Sequence, residues 1–152
     1  MQLNRKTFLI IDHIPAVTRR FTMSLTNTNS KLVVAGNNTR HLLRMMYDHL
    51  IEDYTYCDFN SEISVAELKQ YVSTYHHIDG LYLFADYYQQ QPNETKQLIT
   101  SLHKQVFLIK SDLSQQIFTC EALNQTQSHI TFIDQLGELS KLFQIEPTKL
   151  VR

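Results

Sequence analysis

The sequence predicts an α/β fold, a three-layer αβα sandwich with helices on both faces of a mainly parallel sheet of about six strands. Two observations carry that prediction. Short β-branched and aromatic runs alternate with stretches of helical spacing, the pattern of strand–helix crossovers rather than of hairpins. Five of the apolar runs also stop at an aspartate: Phe8–Asp12, Tyr54–Asp58, Leu81–Asp86, Val106–Asp112 and Ile130–Asp134. An acid just past each strand places carboxylates on the carboxyl edge of a parallel sheet, where such folds bind ligands.

The elements follow in order. Thr7–Asp12 is the first strand. Behind it Val17, Phe21 and Leu25 recur at helical spacing, and Pro15 suits a first helical turn. Lys31–Ala35 is the second strand, closed by Gly36, Asn37 and Asn38. Leu42, Met45, Met46, His49 and Leu50 form the apolar side of the next helix. Tyr54–Asp58 is the third strand. Ser64 and Glu67 fit a capping box, in which serine and glutamate each satisfy the other's backbone N–H. That box opens a helix carrying Leu68, Tyr71, Val72 and Tyr75 on one side.

Ile78–Ala85 is the most apolar strand, which places it near the sheet centre, covered on both faces. Pro92, Asn93 and Glu94 begin a helix with Leu98, Ile99 and Leu102. Val106–Ile109 is a fifth strand. Ile117, Phe118 and Leu123 mark a helix, and His129–Ile133 a sixth strand. Leu136, Leu139, Leu142 and Phe143 form a last helix, ended by Pro147. Right-handed crossovers turn this alternation into a doubly wound sandwich. No linker or repeat divides residues 1–152, so a single domain is expected.

Composition narrows the function classes. With 43% hydrophobic and 19% charged residues the chain reads as globular. Its formal charge of −1 gives no basic excess to drive sequence-independent binding to nucleic acid. The apolar run after the N-terminus is too short for a signal-peptide core or a membrane span, so a cytoplasmic location and no membrane association are expected. Cys57 and Cys120 lie far apart with no metal spacing and read as free thiols of a reducing compartment, Cys57 in a strand and Cys120 in a helix.

The motifs that carry chemistry are few. Gly36-Asn37-Asn38-Thr39 follows a strand and precedes a helix, where a phosphate loop lies. Glycine occurs only at 36, 80 and 137, and a dinucleotide fingerprint needs three in one turn. The lysine and serine of a P-loop are also missing, so no cofactor is expected. Among the seven histidines, His41 and His49 are two turns apart, and His76-His77 ends a helix. Packing is their expected role. The strand-end aspartates could hold Mg²⁺, but capping of the following helices accounts for most of them. Tyr87-Tyr88 could face a ligand, although an aromatic pair at a strand end more simply lines the core rim.

The run Cys57-Asp58-Phe59-Asn60-Ser61-Glu62, then Glu67–Val72, then Ile78-Asp79-Gly80-Leu81–Asp86 resembles the middle of a short-chain dehydrogenase/reductase. Asp58 matches the acid that touches the adenine ring in that family. More closely, the chain resembles the non-catalytic, structural half of a polyketide-synthase ketoreductase, a truncated Rossmann-like fold without its cofactor loop. Phe118–Glu121, His129–Asp134, Leu136–Phe143 and the terminal Val151-Arg152 match its tail of helix, acid, strand, helix and arginine, whereas the tryptophan often found after the fourth strand is replaced by nearby Phe84. A second resemblance is to a response-regulator receiver, carried by Phe8–Arg20. In it Asp86 matches the phosphoacceptor, Asp12 a Mg²⁺ acid and Ser111 the hydroxyl after the fourth strand. His13 replaces the second acid, Asp134 stands where the lysine is expected, and 51–77 would be an extra strand–helix unit. Such a domain would be a pseudo-receiver.

Both resemblances imply a non-enzymatic Rossmann-like domain that works through a protein partner or as a structural brace. Neither catalytic nor cofactor-binding residues are assigned, and Asp12, Asp86 and Ser111 are the metal-site candidates if the domain is receiver-like. A Mg²⁺ enzyme using Asp12, Asp86 and Asp112 ranks last, because no nucleophile, base or phosphate loop accompanies the acids. An open sheet leaves two edges, and a homo-oligomer paired through an edge or a helix face is compatible with the sequence.

Overall fold

The computed structural model describes residues 5–75, 77–112 and 117–123. Among these described residues eleven elements follow one another: β1 (Lys6–Ile11), α1 (Pro15–Ser24), β2 (Ser30–Gly36), α2 (Thr39–Tyr47), β3 (Asp53–Tyr56), α3 (Glu62–Tyr75), β4 (Gly80–Phe84), α4 (Ala85–Gln89), α5 (Asn93–Thr100), β5 (Val106–Asp112) and β6 (Ile117–Leu123). They form one six-stranded sheet in the order β3-β2-β1-β4-β5-β6. The first five strands are parallel, and β6 runs antiparallel to β5. The α/β sandwich expected from the sequence is thus the fold observed, and β4 sits beside β1 at the sheet centre.

The pleat explains why the central strands are apolar throughout. Phe8 and Ile10 of β1 join Tyr82 and Phe84 of β4 on one face, against Val17 and Phe21 of α1, Leu25 at its C-cap, and Leu42 and Met45 of α2. Leu9 and Ile11 turn to the other face with Leu81 and Leu83, where Val65, Leu68 and Val72 of α3 and Ile99 of α5 cover them. Successive side chains of a strand point to opposite faces, so a strand buried on both reads as an unbroken hydrophobic run.

Two expectations are corrected here. Ile117, Phe118 and Leu123 lie on a strand, β6, and not on a helix. Only four residues separate it from β5, too few for the crossover a parallel neighbour needs but ample for a hairpin. Cys120 is therefore a strand residue, and Phe118–Glu121 cannot be the tail helix of the ketoreductase resemblance. The helix expected to open on Ser64 begins earlier, at Glu62, and Ser61 Oγ accepts from Ser64 N at 3.3 Å. Ser64 Oγ instead accepts from Asp58 N at 2.8 Å, tying α3 to the end of β3. The strand expected at His129–Ile133, the helix at Leu136–Phe143 and Asp134 lie outside the described residues. Among the described residues no helix is long and apolar enough to cross a membrane.

One cap holds a residue in an unusual conformation. His49 follows α2 with φ 60°. Its N–H donates to Met46 O at 3.0 Å, and Leu50 N–H donates to Met45 O at 3.0 Å. This is the Schellman pattern that usually carries glycine. Side chains at positive φ cost roughly 1–2 kcal/mol, while glycine gives back about 0.5–1 kcal/mol in unfolded-chain entropy. His49→Gly is therefore expected to stabilise the domain by about 0.5 kcal/mol, read as a small rise in the urea midpoint. A lower midpoint would show that the His49 side chain contributes more than its backbone strain costs.

Candidate functional site

Parallel strands bring the ends of β1, β2, β3 and β4 to one edge. β1 lies between β2 and β4, and α1 and α3 pack on opposite faces. The chain therefore reverses its direction of travel across the sheet at the β1/β4 seam, the switch point at which open α/β sheets form a crevice. The fold is Rossmann-like. A crevice of about 290 Å³ opens at this edge, lined among others by Asp12, Asn37, Asn38, Asp58, Asn60 and Tyr87.

Each wall has a local cause. Asp12 N continues the β1–β2 ladder by donating to Ala35 O at 2.9 Å. Its side chain then lies against the end of β2, where a Cβ on Gly36 would fall 2.7 Å from Asp12 Cβ. Glycine is required at 36 by that close approach rather than by a phosphate. Asn38 caps α2, its Oδ1 accepting from His41 N at 3.1 Å. Asp58 Oδ1 accepts from Asn60 N at 3.0 Å in a tight turn. On the β4 side the Tyr87 ring, from α4, lies between His13 and Phe59, tilted to the first at a centroid distance of 5.4 Å and edge-on to the second at 6.3 Å.

The electrostatics are those of buried acids. The Asp12 side chain is 5% exposed and faces His41, with Oδ1 and Nε2 3.5 Å apart. Both atoms are buried and lack a hydrogen-bond partner. Burial raises the Asp12 carboxyl above its ordinary 3.8, against the pull of Thr18 and His41. Burial likewise pushes the Cys57 thiol up to about 11, although Ser64 offsets part of it. The Tyr87 phenol is pushed up to about 12 by burial first and by the charges of Cys57 and Asp58 next. A thiol and a phenol so raised are protonated at neutral pH, and neither is a ready nucleophile or base.

The raised Asp12 predicts a pH dependence. Between 3.8 and the raised value the folded chain binds a proton that the unfolded chain has lost, so this group's contribution to stability falls as pH climbs through that window. Asp12→Asn removes the effect. The variant is expected to melt above the wild type at pH 7 and to converge with it below the ordinary carboxylate range. A variant that melts lower at pH 7 would mean that the attraction to His41 outweighs burial.

The structure separates the expected site residues. Asp12 lines the crevice together with Asp58, whereas Asp86 and Ser111 do not. Asp86 is exposed in the first turn of α4. Ser111 lies beyond Ile109, the last β5 residue paired with β4, and faces Phe118 in the β5–β6 hairpin. Asp112 is exposed at the end of β5. Among the described residues no three His, Cys, Asp or Glu side chains are grouped to hold a metal ion.

Capping also fails as the general account of the aspartates. The N-caps of α1 and α4 are Ile14 and Phe84, and neither helix has a side-chain cap. The local role survives at Asp58, as a turn. The sequence reading missed the Asp12–His41 pair altogether, because their proximity is set by strand pairing and not by spacing along one helix.

No family model matches the chain, and no curated protein does. Among solved structures it is similar to a crystal structure of a variant of actinorhodin polyketide ketoreductase with NADPH. The two share 17% identity at a TM-score of 0.42, over 60% of this chain and 39% of that one. The chain thus spans about two fifths of that enzyme's length.

Proposed function

We propose that this chain is a non-catalytic Rossmann-like domain that acts through a protein partner, in the manner of the cofactor-less structural half of a polyketide-synthase ketoreductase. One observation carries the reading, namely the turn after β1. A Rossmann fold places a glycine-rich turn there, so that backbone N–H groups and a helix N-terminus meet a pyrophosphate. Here the turn is Asp12-His13-Ile14, and Pro15 opens α1 without an N–H to donate. The Asp12 carboxyl occupies the space above Gly36, presenting an acceptor where phosphate needs donors. The lining residues, among those described, include no lysine or arginine.

The lack of catalytic activity is supported by the state of the candidate groups. Cys57 is buried and held as a thiol. Asp12 is enclosed, and Asp86 stands apart in solvent. No geometry favours the receiver alternative, since Asp12 shares the crevice with neither Asp86 nor Ser111.

The test is thermal melting of the full chain with NADPH, NADH and ATP at millimolar concentration. Ligand that binds only the folded state stabilises it by RT ln(1 + [L]/Kd), about 2.7 kcal/mol at a hundredfold excess over Kd. The expected result is an unchanged midpoint with all three. A dose-dependent rise with any of them overturns the reading.

A further inference from the structure

We infer that the outer face of α1 and α2 is the docking surface of this domain, and that its occupant is an acidic amphipathic helix of a partner protein. The inference rests on the partner-binding role proposed above and adds the place and the chemistry of the partner. α1 and α2 pack side by side on one face of the sheet through Phe21, Leu25, Leu42 and Met45. Their opposite sides are unusual in a chain of net charge −1. Arg19, Arg20, Arg40 and Arg44 are all here, and neither helix contains an acid. The carboxylate that joins them is Asp48, at the C-cap of α2. It pairs with Arg19 at 2.6 Å and with Arg44 at 3.5 Å, and the Arg19 guanidinium holds it below the usual carboxylate range. Four arginines against one aspartate leave a positive surplus, and Arg20 and Arg40 are exposed.

Large apolar side chains stand among these charges. Met23 is 53%, Leu43 54% and Tyr47 81% exposed. Leu43 and Tyr47 are one turn apart, so they present one continuous ridge. A depression of about 510 Å³ runs beside it, lined by Arg40, Leu43, Arg44, Tyr47 and Asp48. A second, of about 550 Å³, lies beside Met23, Arg19 and Arg20.

Apolar anchors framed by arginine suit a helix with leucine-like residues on one side and carboxylates flanking them. The cations on these two helices are all arginine, with no lysine. Its planar fork grips a carboxylate with two parallel bonds, whereas a point charge would serve a diffuse anionic surface equally well. The apolar ridge is also narrow, and the broad hydrophobic faces of both helices are spent in the core, which disfavours insertion into a bilayer.

The experiment titrates the full chain into labelled peptides and follows anisotropy. The probes are an amphipathic Glu/Leu peptide of about 18 residues, five helical turns, a scrambled peptide of the same composition, and an amphipathic Lys/Leu peptide. Phosphatidylglycerol vesicles and size exclusion across protein concentration complete the set. The expected result is Glu/Leu binding at least about tenfold tighter than the scrambled or Lys/Leu peptide, with amide shifts confined to α1 and α2. R20E/R40E is expected to weaken it about tenfold or more with an unchanged melting midpoint. Equal affinity for the scrambled peptide, tighter binding to vesicles, self-association blocked by R20E/R40E, or no binding at all each overturns the inference. NADPH raising the melting midpoint while the peptide still docks here would overturn the nucleotide-free reading alone. Flat nucleotide melts with no peptide binding would overturn the docking inference alone.

Discussion

Phe21→Ala is expected to destabilise the domain by about 3–5 kcal/mol, the range for deleting a fully buried aromatic. Phe21 is 0% exposed. Its ring meets those of Tyr82, Phe84 and Phe118 edge-on, at centroid distances of 5.1, 5.8 and 5.3 Å. Each such contact adds roughly 0.5–1.5 kcal/mol beyond area burial. The three partners come from β4 and β6, so the loss is felt across half the sheet. In a domain of this size the melting midpoint should fall by roughly 10 °C. Phe21→Leu keeps most of the volume and should lose less than half as much. If urea unfolding gave equal losses for the two, edge-on ring packing would carry no special weight at this site.

Gly36→Val should cost about 2–3 kcal/mol, for a different reason. The added Cβ would lie 2.7 Å from Asp12 Cβ and 3.1 Å from its carboxylate oxygen. Neither Cβ can move without moving backbone, and overpacking of this kind costs about 1–3 kcal/mol. The remedy is on the other partner. Asp12→Gly removes the obstructing side chain, and the Asp12→Gly, Gly36→Val pair should recover about 1–2 kcal/mol relative to the sum of the single changes. A double-mutant cycle by denaturant unfolding measures this coupling. Strict additivity would show that position 36 is glycine for some cause other than Asp12.

The sheet was legible because β1, β2, β4 and β5 are buried on both faces, and their apolar runs stand out against polar loops. β6 was not. Phe118 and Cys120 alternate as a strand requires, but the intervening face holds Glu121, buried and paired with Lys110 at 3.3 Å. A charge in a buried position hid the period of two. α4 escaped notice because it begins at Ala85, directly after β4. The apolar run continues across the boundary without a turn residue, and five residues are too few for a helical period.

At the site the row of strand-end acids was readable, but the fate of each carboxyl was not. Whether it turns inward, as Asp12 does, or outward, as Asp86 does, is decided by pleat and by the exit angle of the chain. The turn that the sequence offers as a phosphate loop, and that its single glycine rules against, is the one after β2, at Gly36. Strand order moves the decisive turn to the end of β1, and no motif in a single sequence reports strand order.

The antiparallel strand β6 has a consequence for how the chain assembles. β5 and β6 meet through a short connection and form seven rungs, so their closure costs little chain entropy. The seam between β1 and β4 has three rungs, and it must join Phe8 to Gly80 across the first half of the chain. Contacts this distant in sequence are slow to form. The hairpin is expected to zip early and the central seam late. Substitutions at Phe118 should then slow refolding, while those at Leu81 should mainly speed unfolding. The crevice above that seam would be the last part of the molecule to take shape and the first to open.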